Sequence, residues 1–373
     1  MQVQTSVKTE RNYGIDLLRL ISMLYVLVLH ALGRGGLLDH TQRLSVQYQF
    51  GWFMQLWALC AVDIFALISG YVGYTEKIKK YNYANYVVMW LQVVTYGVGL
   101  SLLFYLKNPE WLTRQQLQQM FFPVSNQLFW YFNAYTGLFF VIPLLNRAVR
   151  QSGSEELRRI IVGGILLFSV FEAVTGGFKF DRGYTFTWLA ILYFLGAAIK
   201  KCEIGKQMPK ATAFIGIVAC SVLSWLWRMY GETFVLFGKI IITREQLCTY
   251  VAPTNLCAAI FHVILFSKLK FGRVLKKIIS FAAPGALAVY LINTQEHIWN
   301  YFMADRFAYL ASESVGTIFT HVMVFVLSFL TVSVLVDYVR RKVFDLFRVK
   351  QVAEYLTEWA GRILCCCANK LMR

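Results

Sequence analysis

The chain has 373 residues, of which 58% are hydrophobic, 16% are aromatic and only 15% are charged. Soluble domains carry about 25% charged residues, so this composition excludes an ordinary soluble protein and predicts one that crosses a membrane several times. The net charge of +17 by itself would also fit nucleic-acid binding. The basic residues, however, lie in short segments that alternate with segments poor in them, as cytoplasmic membrane loops do. We therefore expect a cell-membrane protein with no nucleic-acid partner.

Ten apolar stretches follow one another along the chain, each about long enough to cross a bilayer as a helix. They are residues 14–32, 54–74, 83–106, 128–146, 158–175, 184–200, 211–228, 249–267, 280–301 and 315–339. An even number of spans places both termini on one side, and the basic loops make that side the cytoplasm. The sequence therefore predicts an all-α, polytopic membrane bundle of about ten transmembrane helices, which forms one membrane domain over residues 1–340.

The remaining residues, 341–373, have a different pattern. Apolar side chains recur there at intervals of three and four residues, with basic residues between them. These apolar residues are Val349, Val352, Leu356, Trp359 and Ile363. The pattern predicts a C-terminal amphipathic helix that rests on the cytoplasmic leaflet, followed by a short tail. The tail contains Cys365–Cys367, which we interpret as ordinary cytosolic thiols, with acylation as the alternative.

The chain contains none of the common catalytic or metal-binding motifs. Its eight cysteines show no zinc-ligand or disulfide spacing, and no nucleophile elbow, P-loop or His-Glu-x-x-His is found, so we expect no metal site. Any chemistry therefore depends on ionisable residues inside the spans. Four such residues lie alone in or near spans, and we interpret each as structural or interfacial. They are Glu172, His262, Glu296 and His297.

The first predicted span carries three ionisable residues, Asp16, Arg19 and His30, which share one face of a helix at 100° per residue. Charge inside a membrane costs about 2.5–3.5 kcal/mol per residue on insertion scales, so such residues usually face a bundle interior and have a function there. The imidazole of His30 suits a general base, because it can accept a proton near neutral pH. The alternative is a histidine that only hydrogen-bonds between helices.

The pair Asp16 and Arg19, and the acid Asp63, each allow two interpretations. Asp16 and Arg19, one turn apart near the cytoplasmic end of the span, either neutralise each other or form a site in which Asp16 orients Arg19 towards an anionic or carbonyl-rich ligand from the cytosol. Asp63 is the lone acid deep in the second span. It either orients the His30 imidazole, as the carboxylate of a catalytic triad does, or makes a helix-packing hydrogen bond.

Five short motifs are spread over nearly the whole chain. The first two are Arg19-x10-His30, after Asp16, and Val62-Asp63-Ile64-Phe65-x3-Ser69-Gly70-Tyr71. The other three are Trp130-Tyr131-x3-Tyr135-x-Gly137-Leu138-x4-Pro143-Leu144-Leu145, Tyr193-Phe194-Leu195-Gly196 and Val289-Tyr290-Leu291-Ile292. With these motifs and its ten predicted spans, the chain resembles the acyltransferase-3 family of integral membrane O-acyltransferases.

The resemblance implies an enzyme that transfers an acyl group, usually acetyl, from cytosolic acyl-coenzyme A to a hydroxyl of an extracytoplasmic glycan. Acyl-coenzyme A is then the donor substrate, and no bound cofactor is implied. In this interpretation His30 is the catalytic base, Asp63 supports its imidazolium, and Arg19 holds the donor. The resemblance also implies a larger set of substrate-binding residues. These are Asp16, Arg19, Ser69, Trp130, Tyr135 and Tyr290.

One loop departs from the family pattern. Many members carry an arginine-rich loop between the second and third spans, whereas this chain has Lys77, Lys79 and Lys80 there. Lysines bind phosphate as point charges, without the bidentate geometry of arginine, and we expect these three to meet the nucleotide phosphates of the donor. The alternative function is a secondary transporter or flippase for a glycan precursor or small anion, which would use the same buried charges as a pathway.

Overall fold

The computed structural model describes residues 11–78, 80–236 and 238–371, and this part of the chain is nearly all-α. The helices of the first half are α1 (Tyr13–Leu32), α2 (Leu37–His40), α3 (Val46–Ala58), α4 (Ala61–Gly73), α5 (Ala84–Lys107), α6 (Arg114–Met120), α7 (Trp130–Gln151), α8 (Ser154–Ile165) and α9 (Glu172–Thr175). Those of the second half are α10 (Phe186–Lys201), α11 (Lys210–Tyr230), α12 (Pro253–Ser267), α13 (Arg273–Ala282), α14 (Ala286–Asn293), α15 (Val315–Leu346) and α16 (Val349–Leu371).

A small β-hairpin refines the all-α prediction. Strands β1 (Phe234–Leu236) and β2 (Ile240–Ile242) pair antiparallel in the segment between the seventh and eighth predicted spans. Gly238, with φ of +70°, lies in the turn between them, where a residue without a Cβ is favoured. The β-branched residues of the two strands suit this extended backbone.

Helix α1 lies at the centre of the bundle and packs against α3, α4, α12, α14 and α15. Asn12 caps its start, because the side-chain oxygen accepts hydrogen bonds from the backbone N–H groups of Gly14 (3.0 Å) and Ile15 (3.2 Å). The amide nitrogen of Asn12 also donates to the carbonyl of Ser267 (2.9 Å) and so fixes α1 against the end of α12. This central position brings the polar face of α1 next to several other helices.

Two glycines bring α4 and α10 into close contact. A Cβ at Gly70 would overlap the backbone carbonyl of Tyr193, and a Cβ at Gly196 would overlap the carbonyl of Leu67. Small residues let helix backbones approach in membrane bundles, where dispersion contacts stabilise association. The contact brings the second and fourth sequence motifs together in space.

Two of the predicted spans are interrupted helices. The second span breaks at Leu59–Cys60, between α3 and α4. The ninth consists of α13 and α14, which are separated by a 3-10 turn at Ala283–Gly285 and followed by a π-helical turn at Ile298–Met303. Pro284 lies in the 3-10 turn and has no backbone N–H to continue the helical ladder. Both interruptions place irregular backbone inside the bundle, beside the candidate site.

Six helical stretches in the described part are long and apolar enough to cross a membrane. They are Tyr13–His40, Val46–Gly73, Ala84–Lys107, Lys210–Tyr230, Arg273–Asn293 and Val315–Leu346. Helices also occupy the other four predicted positions, at α7, α8–α9, α10 and α12, but they do not meet this measure of length and apolarity. The chain is therefore a multi-pass membrane protein, whereas the count of ten spans stays a prediction.

The C-terminal helix α16 packs against α5 and α15. Val352, Leu356, Trp359 and Ile363, which lie in the predicted apolar stripe, are largely exposed. An exposed apolar stripe is the surface that an interfacial helix presents to lipid. The placement of α16 on the membrane and the cytoplasmic location of both termini stay predictions, and the side chains of Cys365–Cys367 lie outside the described part.

Candidate active site

Asp16 sits between two arginines at the N-terminal end of α1. Its carboxylate accepts from Arg11 Nε at 2.5 Å and from Arg19 Nη1 at 3.4 Å. The longer contact leaves the Arg19 guanidinium partly available, and Arg19 also lines a pocket at this end of the bundle. The structure thus contains the ion pair that the sequence suggested and also directs Arg19 towards open space.

That pocket, which we call the basic vestibule, has a volume of about 550 Å³. It opens between α1, α4, α5 and α7, and five of the predicted binding residues line it. These are Arg19, Ser69, Lys77, Lys80 and Tyr135. Lys79 lies outside the described residues. The vestibule therefore combines most of the residues that were expected to hold the donor.

Arg150 is a further cation of the basic vestibule and was not among the predicted site residues. It lies at the end of α7, donates to the carbonyl of Thr75 (3.5 Å) and lines the vestibule together with Lys77 and Lys80. Arg150 supplies the planar guanidinium that the lysine-bearing loop lacks. No sequence signal linked it to that loop, because the two are brought together only by the packing of α7.

Other lysines at this end of the bundle bind the protein itself. Lys200 Nζ donates to the carbonyl of Tyr74 (2.9 Å), and Lys201 Nζ donates to three carbonyls near the end of α7. Lys268 Nζ likewise donates to the carbonyls of two residues after α10. These ammonium groups hydrogen-bond to carbonyls that have no partner within a helix, and they offset the negative partial charge at helix C-termini. Lys77 and Lys80 are instead exposed and form no salt bridge within the described ranges.

His30 lies near the opposite end of α1, with Asn293 of α14 and Trp299 as its neighbours. The ring atom Nδ1 forms a short hydrogen bond with Asn293 Oδ1. Because an amide oxygen only accepts, Nδ1 carries the proton, and Nε2 keeps a lone pair that can act as a base. The Trp299 ring packs edge-to-face against the imidazole, at 4.8 Å between centroids and 88° between planes. These two contacts fix the orientation of the ring.

Asp63 does not make the expected contact with His30. Its two oxygens accept from Trp188 Nε1 (3.1 Å) and Asn255 Nδ2 (2.9 Å), and its side chain is fully buried. The reason is that Asp63 faces α10 and α12, whereas His30 faces α14. The structure therefore corrects the predicted support of His30, gives that position to Asn293, and shows the helix-packing hydrogen bonds that were the alternative for Asp63.

A small central cavity adjoins His30 in the middle of the bundle. It has a volume of about 30 Å³, room for about two water molecules, and aromatic and aliphatic side chains dominate its lining. Phe65, Tyr131 and Tyr290 belong to this lining. The rings of Tyr131 and Tyr135 lie 6.3 Å apart, so they separate this cavity from the basic vestibule. His30 thus has a largely apolar and nearly closed surrounding on the side that faces the basic vestibule.

A second large pocket lies beyond His30, and we call it the aromatic vestibule. Its volume is about 630 Å³, and His30, Trp130 and Tyr290 line both it and the central cavity. Half of the remaining lining residues are aromatic or amide-bearing. They include Gln55, Gln127, Tyr184, Tyr250, Trp299 and Asn300. Two of the residues implied by the resemblance, Trp130 and Tyr290, therefore lie beside the histidine and away from the cations.

Of the four residues expected to be structural or interfacial, three hold the scaffold together. Glu172 accepts from the backbone N–H groups of a following turn, His262 contacts Tyr25 and the carbonyl of Ala258, and His297 contacts the carbonyl of Trp111. Glu296 differs, because it accepts from Gln116 (3.1 Å) and also lines the aromatic vestibule. It is the only charged residue in that lining.

Asn293 is the main site residue that sequence reasoning missed. It directly follows the Val289–Ile292 motif, and its side chain is fully buried. An amide inside an apolar helix is a signal of a buried hydrogen bond. The sequence offered no means to connect it with His30, because 263 residues separate the two.

Comparison with known proteins agrees with this geometry. A family model described as an acyltransferase domain, of the acyltransferase-3 type, matches residues 12–338. No curated protein and no solved structure matches the chain. The matched range extends from the cap of α1 into α15 and includes every residue of the two vestibules and of the central cavity named above. The chain is a multi-pass membrane protein that belongs to the acyltransferase-3 family.

Proposed function

We propose that the protein is an O-acyltransferase that moves an acyl group, in the first instance acetyl, from cytosolic acyl-coenzyme A to a hydroxyl of an extracytoplasmic or cell-surface carbohydrate. One observation carries this proposal. His30, held through Nδ1 by Asn293, lies between a pocket lined by cations and a pocket lined by rings and amides. A base between a phosphate-binding and a sugar-binding pocket is what transfer across the membrane requires.

The basic vestibule fits the donor. Arg19, Lys77, Lys80 and Arg150 supply cations for the nucleotide phosphates. From Arg19 to His30, α1 rises ~16 Å, which is comparable to an extended pantetheine arm. The central cavity is too small for that arm, so donor binding requires side chains such as Tyr131 to change rotamer. The charge distribution of the loops supports a cytosolic position for this vestibule.

The reaction follows from the position of Nε2. The hydroxyl oxygen of the acceptor attacks the thioester carbonyl carbon while His30 Nε2 takes the hydroxyl proton. The new C–O bond forms, the C–S bond breaks, and the proton passes from Nε2 to the thiolate. The products are an O-acyl ester and free coenzyme A. Asn293 keeps the proton on Nδ1 throughout and so preserves the basic nitrogen.

The aromatic vestibule fits the acceptor. Flat rings such as Trp130, Tyr184 and Trp299 present faces on which the C–H groups of a sugar can pack, and the amides of Gln55, Gln127 and Asn300 can pair with hydroxyls.

A transporter remains the second candidate, because two vestibules flank a narrow cavity along one helix. Transport predicts flux of a glycan precursor or small anion without covalent change.

Mass spectrometry of surface glycans tests the proposal. Cells that express the wild-type protein should gain acyl esters on surface polysaccharide, and cells that express His30→Ala should not. His321→Ala is the matched control, because His321 is an exposed histidine of α15 outside both vestibules. Equal acylation with His30→Ala, at equal amounts of folded protein in the membrane, would exclude His30 as the base.

A further inference from the structure

The segments that border the aromatic vestibule contain an unusual group of polar atoms. Nine buried side-chain nitrogen and oxygen atoms lack a hydrogen-bond partner in the described part of the chain, and four of them belong to Gln55, which lines the vestibule, and to three residues behind this lining. They are Trp52 Nε1, Gln55 Oε1, Arg228 Nε and Thr249 Oγ1. The large majority of buried side-chain polar atoms in proteins are hydrogen-bonded, so four unpartnered atoms at and behind the lining of one pocket point to a ligand that would pair with them.

Contacts place these atoms together beside the vestibule. Trp52 and Gln55 are one turn apart on α3, and the Arg228 guanidinium of α11 lies 3.9 Å from the centre of the Trp52 ring. Gln55 lines the vestibule, as do Cys248 and Tyr250, the neighbours of Thr249. We call these four residues the polar wall. Stacking on Trp52 holds Arg228 in place, so less side-chain entropy is lost when a ligand binds.

The charge of the polar wall favours an anion. Arg228 lies 3.7 Å from Glu245, but the same carboxylate also accepts from Arg182 at 2.6 Å. Two guanidinium groups therefore share one carboxylate, and the salt bridges among the described residues leave one positive charge of this cluster unpaired. Three of the four free groups, the indole N–H, the guanidinium N–H and the hydroxyl, are able to donate hydrogen bonds. Donors around a cation are the arrangement that binds carboxylate or phosphate oxygens.

We propose that the polar wall is an acceptor subsite that binds an oxyanion, a carboxylate or a phosphate, on the glycan whose hydroxyl is acylated at His30. Arg228, Trp52 and Thr249 donate to the oxyanion, and Gln55 Oε1 accepts from a neighbouring hydroxyl. The enzyme then selects acidic glycans over neutral ones. The identity of the ligand as the acceptor rests on the proposed function, whereas the binding of an oxyanion does not.

Calorimetry on the full-length protein in lipid nanodiscs tests this subsite with two matched pairs of probes. The first pair is a glucuronate-containing tetrasaccharide and its carboxyl-reduced form, and the second is glucose 6-phosphate and glucose. In at least one pair, the anionic member should bind about tenfold or more tightly than its neutral partner. The pair that shows this preference identifies the oxyanion as carboxylate or phosphate.

Variants connect the preference to the polar wall. Arg228→Gln should remove the preference and leave the affinity for the neutral member unchanged. Arg306→Gln is the matched control, because Arg306 also stacks on an aromatic ring, Phe302 at 4.2 Å, but lines a different pocket. Glu245→Gln should increase the preference, because it removes the competing carboxylate. This second variant keeps the subsite testable if Arg228→Gln does not fold.

Two results would overturn the subsite. The first is that neither pair shows a preference for its anionic member, whether or not the probes bind. The second is that Arg228→Gln weakens neutral and anionic members equally while Glu245→Gln has no effect. Acyl transfer from acetyl-coenzyme A, measured on the same samples, separates this proposal from the proposed function. Anion preference without transfer contradicts the function alone, and transfer without anion preference contradicts the subsite alone.

Discussion

The two vestibules have similar volumes, about 550 and 630 Å³, but opposite chemistry. The basic vestibule presents four cations, two of them on an exposed lysine loop, whereas the lining of the aromatic vestibule contains a single charged residue, Glu296. A flexible, charged surface attracts phosphates over a distance and tolerates variation in position. A lining of rings and amides recognises a ligand only through direct contact and a matching shape. Under the proposed function, the donor is therefore recognised mainly by charge, and the acceptor by its faces and hydroxyls together with the oxyanion bound at the polar wall.

The two ends of α1 differ in the same way. Asp16 meets two guanidinium groups, whereas His30 meets the neutral amide of Asn293. An amide orients the imidazole without adding the negative charge that would favour the imidazolium form. The N-terminal end of α1 thus surrounds a carboxylate with cations, whereas the other end holds the imidazole with a neutral partner.

The largest expected effect is at His30. His30→Gln should lower kcat for acetyl transfer by about 100- to 10,000-fold, because the general base is lost while the size of the side chain is similar. Radiolabelled acetyl transfer in membrane vesicles measures this. His321→Gln should match the wild type, and an equal loss in both variants would contradict a specific role of His30.

The next effect concerns the amide that replaces the expected carboxylate. Asn293→Leu should lower kcat by about 10- to 100-fold, because nothing then selects the Nδ1-protonated form of His30. Asn293→Asp keeps an acceptor for Nδ1–H, so it should retain more activity than Asn293→Leu. The acidic limb of its pH–rate profile should move to higher pH, because the new carboxylate favours the imidazolium. Equal activities and superimposable pH profiles in the two variants would show that Asn293 does not position His30.

A scaffold variant tests the close contact between α4, which lines the basic vestibule, and α10. Gly70→Ala should destabilise the protein by about 1–3 kcal/mol, because the added Cβ overlaps the Tyr193 carbonyl and forces α4 away from α10. Gly99→Ala in α5 is the control, since a Cβ there meets nothing within 4 Å, and it should be neutral or slightly stabilising. Thermal unfolding in detergent measures both, and equal midpoints would contradict the close helix contact.

The smallest expected effect is at the basic vestibule. Arg150→Gln and Lys80→Gln should each raise KM for acetyl-coenzyme A about threefold with little change in kcat, because exposed cations contribute modestly and are screened by salt. KM for acetyl-pantetheine, which lacks the nucleotide phosphates, should stay unchanged. Lys107→Gln, a control at the opposite end of α5, should affect neither donor. Equal effects on both donors would place these cations outside the phosphate site.

Sequence periodicity and local motifs determined the broad properties of this protein. A chain with so few charges must form helices that satisfy their own backbone hydrogen bonds in lipid, so the nearly all-α, multi-pass architecture follows from composition. The shared face of Asp16, Arg19 and His30 follows from helical geometry, because all three lie on one uninterrupted helix. The family motifs were also readable, since each one is local in sequence.

Only the tertiary structure decided which side chains meet. It paired His30 with Asn293 instead of Asp63, added Arg150 to the lysine loop, and bound Lys200 and Lys201 to backbone carbonyls. Helix periodicity states which residues share a face but not which helix that face contacts. That choice depends on the packing of every neighbouring side chain at once, including the close approach at glycines such as Gly70.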